Sequence, residues 1–394
     1  MIRPTVADMP TSPILSLGRT AEGVLASQDV IDLTQGVADW SPPPAVQERL
    51  RVIVHEPDAW GYTARAGAPD VRLAIAEDSA DLYGAPLTPD HVLVTGGCNQ
   101  AFCVAVATVA GPGDEVVLFS PFYFNHPSCL RLLGIRPVVQ PLLPGGQPCV
   151  ESLQQAIGSR TRAVVVVTPG NPTGSTISGQ ALRDLSAMAR HHGLLLILDE
   201  TYRRFAFDDG SRPHDLHSDP DWEGSLVSLL SFSKELAMPG QRVGALLAAP
   251  AFVEQAVKVL DAISVCAPRY GQEAVAAGLK ASGAWMEERR RLVSNRRESL
   301  VDALSSHPGG FSVESAGGFF AWVSHPFQDR SDVEICGRLA EVVGLSVLPG
   351  SAFALGETGC IRLSYASLPA ERAMLVAERL ARFAQRNRRS EAGR

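Results

Sequence analysis

The side chain that the sequence places in the most unusual setting is Lys234. It closes an apolar segment, Ser-Leu-Leu-Ser-Phe-Ser-Lys, and Arg242 follows eight positions later (242 − 234) between Gly240 and Gly244. Burial lowers the pKa of an amine, and a neutral amine is a nucleophile that forms a Schiff base with a carbonyl compound. A strand-end lysine whose ammonium group reaches solvent would give the same local pattern, so this stretch alone leaves both interpretations open.

Further polar features also follow apolar segments. Asn171 comes after the valine-rich run 163–168, and Asp199 comes after the apolar run 194–198. After residues 91–95 comes a tight turn formed by Gly97, Cys98 and Asn99. Ordinary turn chemistry explains each feature singly. Because chemistry gathers at the carboxyl ends of strands in doubly wound sheets, these features together with Lys234 predict one common site.

Several groups near Lys234 suit a phosphate. The turn at Gly97 opens a predicted helix, which offers backbone N–H groups and the positive end of a helix dipole. Ser231 and Ser233 add hydroxyl groups, and Arg242 carries the guanidinium group that binds phosphate through two nitrogens. A plain helix start would look similar, so the turn by itself is a weak signal.

Three side chains could complete the site. Asp199 ends an apolar segment and needs a cationic partner or a hydrogen-bond donor to remain ionised there. Tyr202, three residues later, can point in the same direction. Tyr123 is suited to stack on a flat ring, and packing in the core is an equally good interpretation of it.

The elements that would position these residues alternate between strand and helix. Strands are predicted at residues 91–95, 115–119, 136–140, 163–168, 194–198, 226–230 and 243–249. Helical patterns separate most of them, and the continuous valine run is typical of a strand buried on both faces. The predicted fold class is therefore α/β, with a mostly parallel sheet covered by helices on both faces.

The remaining sequence predicts a second, smaller α+β domain. An amphipathic stretch covers residues 272–304, strands and turns are predicted at 311–323 and 346–360, and a last helix at 369–386. We predict an N-terminal arm and part of the small domain at 1–44, a large domain at 45–270, and a small C-terminal domain at 271–394.

Composition excludes several classes of partner. The net charge of −7 argues against nucleic acid or an anionic membrane as the main partner. The seven cysteines are dispersed and show no metal-type spacing, which favours reduced thiols and no metal site. The N-terminus lacks the apolar core of a signal peptide, and no apolar run is long enough to span a bilayer. We therefore expect a cytoplasmic protein.

Four motifs carry a resemblance to a known family. They are Ser-Phe-Ser-Lys with Gly-Gln-Arg-Val-Gly, Thr-Pro-Gly-Asn-Pro-Thr-Gly, Leu-Asp-Glu-Thr-Tyr, and Cys-Ile-Arg-Leu-Ser. Together they resemble the class I/II aminotransferases, pyridoxal 5'-phosphate enzymes of fold type I that are similar to aspartate aminotransferase. The resemblance covers nearly the whole chain, residues 30–385. The segment Leu-Thr-Gln-Gly-Val-Ala-Asp-Trp is most similar to the kynurenine and glutamine aminotransferase branch.

The resemblance implies a role for each candidate residue. Lys234 would hold the cofactor covalently, Asp199 would pair with the ring nitrogen, and Tyr123 would stack on the ring. Asn171 and Tyr202 would bond the phenolic oxygen. The implied phosphate ligands are Gly97, Cys98, Asn99, Ser231, Ser233, Arg242 and, from a neighbouring subunit, Tyr62.

The resemblance also implies a substrate site and an assembly. Arg362 would bind the α-carboxylate of the substrate, with Asn171 and the backbone of Gly36 nearby. The family further implies cis peptide bonds before Pro121 and Pro172, and a homodimer.

The reaction implied is transfer of an amino group between an L-amino acid and a 2-oxo acid. Neutral or aromatic amino acids are favoured, because no second arginine is assured for a dicarboxylic substrate. Arg65 and Arg269 fit surface salt bridges better, and His126 fits a structural role better than a substrate contact. The same motifs also serve lyases, cyclases and decarboxylases, which stay open as an alternative. A non-catalytic binding protein is a third possibility, against which the intact Lys234 and Arg362 weigh.

Overall fold

The structure is a computed structural model that describes residues 2–7, 9–13, 30–307 and 309–392. Much of the predicted N-terminal arm, namely residues 1, 8 and 14–29, lies outside the described residues. In the described part the strands are β1 (Ile31–Asp32), β2 (Val92–Thr95), β3 (Glu115–Ser120), β4 (Arg136–Leu143), β5 (Gln147–Pro148), β6 (Thr161–Val167), β7 (Leu195–Asp199), β8 (Leu226–Ser231), β9 (Gly244–Leu247), β10 (Ser312–Gly317), β11 (Phe320–Ser324), β12 (Leu345–Ser346), β13 (Leu348–Pro349) and β14 (Cys360–Ser364).

Helices separate most of these strands. Over the same ranges the α-helices are α1 (Pro4–Ala7), α2 (Pro44–Ile53), α3 (Pro69–Tyr83), α4 (Cys98–Val109), α5 (Asn125–Leu132), α6 (Val150–Ala156), α7 (Gly179–His191), α8 (Phe232–Glu235), α9 (Pro250–Ser264), α10 (Arg269–Ala281), α11 (Gly283–Ser306), α12 (Asp332–Val343) and α13 (Ala373–Ala392). None of the helices in these ranges combines the length and apolar character that crossing a bilayer requires.

The large sheet has the strand order β2-β9-β8-β7-β6-β3-β4-β5. Its middle strands are parallel, as predicted, and this confirms the predicted fold class. Strand β9 is antiparallel to both of its neighbours, unlike the parallel pairing that α/β alternation suggests. The connection between β8 and β9 contains only short helical turns and no full helix of the kind that usually links parallel strands.

The valine run of β6 is buried on both faces of the sheet. Val164 and Val166 pack in the core on one face, and Val165 packs in the core on the other. Alternate side chains of a strand point to opposite faces, so a continuous apolar run is what a doubly covered strand requires.

The second unit is built on the antiparallel sheet β10-β11-β14-β13 and on the parallel pair β1-β12. Leu33 packs in the same core as Leu300 of α11 and Leu380 of α13, so the segment after β1 belongs with the C-terminal part of the chain. The division at residues 44 and 270 stays a prediction, and the core that contains Leu33 supports its first boundary.

The predicted helical stretch 272–304 is interrupted at Ser282, between α10 and α11. A serine followed by glycine has weak helix propensity, which is consistent with a break at this point. Ala274 and Val275 of α10 pack in the core under the large sheet. We therefore propose that the small domain begins close to Ser282.

A polar cluster is buried behind β7. The carboxylate of Glu200 accepts hydrogen bonds from the Tyr83 hydroxyl at 3.0 Å and from Nε2 of His214 at 2.9 Å. Nε2 of His217 lies 3.1 Å from the Ser228 hydroxyl. Burial opposes ionisation of Glu200, but the neighbouring His214 outweighs it and the pKa of Glu200 falls to about 2. Burial and the charge of His214 lower the pKa of His217 to about 3.

Replacing His217 by Gln should make the stability less dependent on pH. Because the pKa of His217 is about 3 in the folded chain and 6.5 for an unperturbed histidine, only the unfolded chain binds a proton between these values. As the pH is lowered below 6.5, the wild-type free energy of unfolding therefore decreases by about 1.4 kcal/mol per pH unit. Urea unfolding at pH 6.5 and pH 5 measures this decrease. We expect the decrease to be smaller in the variant than in the wild type, by up to about 2 kcal/mol.

A matched control for this change is His55→Gln, because His55 is exposed. It should keep the wild-type difference between the two pH values. A His217→Gln variant that loses as much stability as the wild type would show that His217 is protonated in the folded chain.

Candidate active site

A cavity of about 210 Å³ lies at the carboxyl ends of the parallel strands. It brings together most of the predicted site residues: Gly36, Cys98, Asn99, Tyr123, Asn171, Asp199, Tyr202, Ser231, Ser233, Lys234, Arg242 and Arg362. The predicted convergence of strand ends β6, β7 and β8 with the turn after β2 on one site is therefore seen in the structure.

Two predicted residues do not line this cavity. Gly97 precedes α4 with a φ of 97°, and a side chain there would lie 2.6 Å from a guanidinium nitrogen of Arg242. Its backbone therefore borders the arginine without facing the cavity. The side chain of Tyr62 is 82% exposed, and its predicted contact with a neighbouring subunit stays a prediction.

Lys234 lies on the one-turn helix α8, directly after β8. Burial, together with the charges of Arg362 and Arg242, lowers its pKa to about 8. Within the described chain its amine has no hydrogen-bond or ion-pair partner. The sequence contains three lysines, and Lys258 and Lys280 do not line the cavity. Lys234 is thus the amine suited to nucleophilic chemistry here.

Asp199 ends β7 and is 3% exposed. One carboxylate oxygen accepts bonds from the backbone N–H of Thr201 at 3.1 Å and from its hydroxyl at 2.7 Å. The other oxygen lies 3.2 Å from Nε2 of His126. Burial alone would raise the pKa of Asp199, but the contacts with His126 and Thr201 outweigh burial and lower it. The carboxylate is therefore held ionised although it is buried.

His126 is a site residue whose position the sequence did not indicate. It is 2% exposed, and its ring stacks on Phe102 with centroids 4.1 Å apart. The sequence predicts a structural role for His126, and in the structure this role is to hold the carboxylate of Asp199. Nothing in the sequence relates position 126 to position 199. Thr201, by contrast, was detectable, because an aspartate side chain often accepts the N–H two residues later.

Arg362 lies on β14 and is 2% exposed. Its guanidinium donates to Oδ1 of Asn171 at 2.8 Å and to the carbonyl oxygen of Thr34. It also lies over the ring of Phe320, 4.4 Å from the centroid. In the described residues no carboxylate forms an ion pair with it, and its Nε atom has no partner. A buried cation without a counter-charge is costly, so this geometry suits an anionic ligand.

Arg242 is held in a left-handed backbone conformation, with φ 52° and ψ 59°. One guanidinium nitrogen donates to the carbonyl oxygen of Pro239 at 2.9 Å. Gly244 lets the turn before α4 approach β9, because a side chain there would lie 2.7 Å from the backbone nitrogen of Cys98. The arginine, the start of α4 and the hydroxyls of Ser231 and Ser233 line the same cavity, and these donors could hold a phosphate.

The aromatic residues shape the remaining wall. The hydroxyl of Tyr123 accepts a hydrogen bond from Nδ2 of Asn125 at 2.9 Å, and burial raises the pKa of Tyr123. Burial also raises the pKa of Tyr202. A side chain at Gly36 would lie 3.4 Å from the Tyr202 hydroxyl and 2.5 Å from the ring of Phe320. Glycine at position 36 therefore keeps this part of the cavity open.

The other residues singled out in the sequence lie elsewhere. Arg65 pairs with Asp261 at 2.8 Å and Arg269 lies 3.6 Å from Glu273, and neither arginine lines the cavity. The peptide bonds before Pro121 and Pro172 are cis, as the resemblance implies. A third cis bond, before Pro169, was not predicted.

Comparison with known proteins gives the family. Residues 28–380 match the family model described as aminotransferase class I and II. The chain is 29% identical over 360 residues to an aromatic aminotransferase of Arabidopsis thaliana, covering 89% of this chain and 88% of that one. It is 31% identical over 369 residues to a probable aspartate/prephenate aminotransferase of Thermus aquaticus, covering 91% and 92%.

Solved structures give the same result. The aspartate aminotransferase of Thermus thermophilus with maleate superimposes with a TM-score of 0.88 at 28% identity, over 97% of this chain and 99% of that one. The names of these relatives are those of aspartate, prephenate and aromatic aminotransferases, so the kynurenine and glutamine branch stays a prediction. Because the family model matches nearly the whole chain and the fold agrees, the chain belongs to the aminotransferase class I and II family.

Proposed function

We propose that the protein is a pyridoxal-phosphate-dependent aminotransferase. It would move an amino group between an L-amino acid with a neutral or aromatic side chain and a 2-oxo acid. The observation that carries this proposal is the content of one cavity. An amine without a partner, Lys234, shares it with an ionised carboxylate, Asp199, and with two arginines that have no acidic partner in the described chain, Arg242 and Arg362.

The residues present fit the cofactor. Lys234 would hold it covalently, and Asp199 would pair with its ring nitrogen. Arg242 and the start of α4 would bind its phosphate. Tyr123 lines the wall where a ring could stack. When bound, the cofactor supplies an electron sink for the carbanion formed at the substrate Cα.

Lys234 would also move the proton in the reaction. Its amine, with a pKa lowered to about 8, can accept a proton near neutral pH once it is free of the cofactor. It would take the proton from the substrate Cα, hold it on Nζ and donate it again later in the transfer. His126 and Thr201 would keep the Asp199 carboxylate ionised and oriented meanwhile.

Arg362 would fix the substrate by its α-carboxylate. The guanidinium is already oriented by Asn171 and Thr34, so little ordering is needed on binding. Burial lowers the pKa of Arg362 to about 10, which leaves it charged at neutral pH.

The cavity wall favours a neutral or aromatic substrate side chain. Among the described residues that line it, the cations are Lys234, Arg242 and Arg362, and each already has a proposed partner. The unassigned wall includes Phe124 and Phe320, whose rings can pack against an apolar or aromatic group.

The proposed assembly is a homodimer in which Tyr62 reaches the phosphate of the neighbouring site. Trp60 and Tyr62 are 75% and 82% exposed, although both are large aromatic side chains. Aromatic residues are enriched in surfaces that a protein partner covers.

A panel of amino acids tests the proposed function. The purified protein with bound cofactor should convert to the pyridoxamine form when a neutral or aromatic amino acid is added, and a 2-oxo acid should reverse the change. The visible absorbance and the released 2-oxo acid are measured together. Release of ammonia, carbon dioxide or a cyclised product without that conversion would instead establish the lyase, decarboxylase or cyclase alternative.

A further inference from the structure

A buried set of ion pairs lies next to the active site without lining its cavity. It consists of Asp78, Arg203, Arg204 and Glu235, and we call it the Glu235 network. Glu235 directly follows Lys234 in the chain, and Arg203 directly follows Tyr202. The network therefore joins the immediate neighbours of two site residues.

Arg203 is at the centre of the Glu235 network. Its Nε and one terminal nitrogen each lie 3.2 Å from a carboxylate oxygen of Glu235. The same terminal nitrogen donates to Asp78 at 2.7 Å, and the other donates to the Ser79 hydroxyl at 3.1 Å. The side chain of Arg203 is 1% exposed and that of Glu235 is 4% exposed. A guanidinium group held on both edges leaves its partners little freedom to move.

Arg204 contacts the same two carboxylates as Arg203. Its Nε donates to Glu235 at 2.8 Å, and a terminal nitrogen contacts Asp78. Two arginines thus balance two carboxylates within the network. Burial raises the pKa of Glu235, but the charges of Arg203 and Arg204 outweigh it and keep this carboxylate ionised.

The Glu235 network helps to fix the orientation of helix α8, the short helix that carries Lys234. Helix α8 has four residues, and so short a helix has too few internal hydrogen bonds to fix its own orientation. Phe232, which is fully buried, holds one side of this turn. Glu235 holds the other side by pairing with the turn after β7, the turn that also carries Tyr202.

We propose that Glu235 and Arg203 are positioning residues for the aminotransferase reaction. By joining α8 to the turn that follows Asp199, they hold the amine of Lys234 in a fixed position relative to the Asp199 carboxylate and the Tyr202 hydroxyl. This inference rests on the proposed function. Helix α3 also takes part, because Asp78 pairs with both arginines. The network therefore ties the turn of Lys234 to a further helix of the large domain.

The test is Glu235→Gln in the full-length protein with bound cofactor. The substitution keeps the shape of the side chain and removes its charge, which loosens both arginines. We expect kcat to fall about 10- to 100-fold while KM changes by less than about threefold, because Arg362 and the cavity wall are untouched. The visible band of the lysine-bound cofactor is also followed as a function of pH. The pKa of this titration should shift measurably, because the nitrogen of Lys234 moves relative to its surroundings.

A double variant tests whether the two residues act through each other. Arg203→Gln combined with Glu235→Gln should lower kcat no more than about twofold beyond the more harmful single variant, because the second change removes a contact already lost. The matched control is Asp215→Asn, which breaks an exposed pair with Arg183 at 3.0 Å, and it should leave kcat and the band unchanged. Additive losses in the double variant would overturn the coupled role.

Wild-type kcat and an unshifted band in Glu235→Gln would overturn the proposal. If that variant does not fold, Asp78→Asn replaces it, because this change weakens the network from α3 without altering the turn of Lys234. It should shift the pKa of the band and lower kcat, and an unchanged band and kcat would again overturn the proposal. The band is read without substrate, so the network can be judged even if the wild type fails to transfer amino groups, which would contradict only the proposed function.

Discussion

Lys234→Ala should abolish both the visible band of the lysine-bound cofactor and amino transfer. The substitution removes the amine that would hold the cofactor and would move the substrate proton, so two roles are lost at once. We expect turnover to fall by roughly four orders of magnitude or more. Absorbance after reconstitution with the cofactor and a coupled assay for the released 2-oxo acid measure the two effects separately.

The chain offers a direct control for this result. It has only two other lysines, and Lys258→Ala changes a residue on helix α9 that does not line the cavity. That variant should keep the band and the activity. Borohydride reduction of the wild type followed by peptide mass spectrometry should place the cofactor on Lys234 alone. A Lys234→Ala variant that retained the band would assign the covalent link to a different amine.

Asp199→Ala should have the second-largest effect. The carboxylate is held ionised by His126 and Thr201, and in the proposed complex it would keep the ring nitrogen of the cofactor protonated. Without it the ring is a weaker electron sink, and we expect kcat to fall roughly 1,000-fold or more. Single-turnover kinetics with a neutral amino acid would measure this loss, and Lys234 should still bind the cofactor.

A surface carboxylate provides the comparison. Asp184 lies on helix α7, where it accepts a bond from Gln180, and it does not line the cavity. Asp184→Ala should therefore leave kcat unchanged. Turnover near the wild-type level in Asp199→Ala would mean that another group holds the ring nitrogen, and the role proposed for this carboxylate would be wrong.

The strand ends are the part of the site that could be predicted from local sequence. Strands buried on both faces need continuous apolar runs, so β6, β7 and β8 are visible as such in the sequence. The residues that follow these runs, Asn171 and Asp199, must lie at the carboxyl ends. Parallel pairing then brings those ends to one edge of the sheet, which is where the cavity lies.

Contacts between distant segments could not be predicted in this way. His126 reaches Asp199 because helix α5 packs on helix α4, which lies beside β7. The carbonyl oxygen of Thr34 reaches Arg362 because β1 pairs with β12. Each contact depends on where a whole element lies, and the side-chain types involved are common in loops and helices. The Glu235 network was missed for the same reason, since Asp78 lies on a helix far away in the chain.

The sequence by itself determined which residues end the buried strands, and therefore which side chains could do chemistry, because burial and strand geometry act on neighbouring residues. Its motifs also determined the family. Only the tertiary structure decided that β9 is antiparallel, that His126 holds Asp199, and that Arg362 lies buried without a counter-charge in the described chain. These features depend on the packing of separate elements, and charge and burial at a site are properties of that packing.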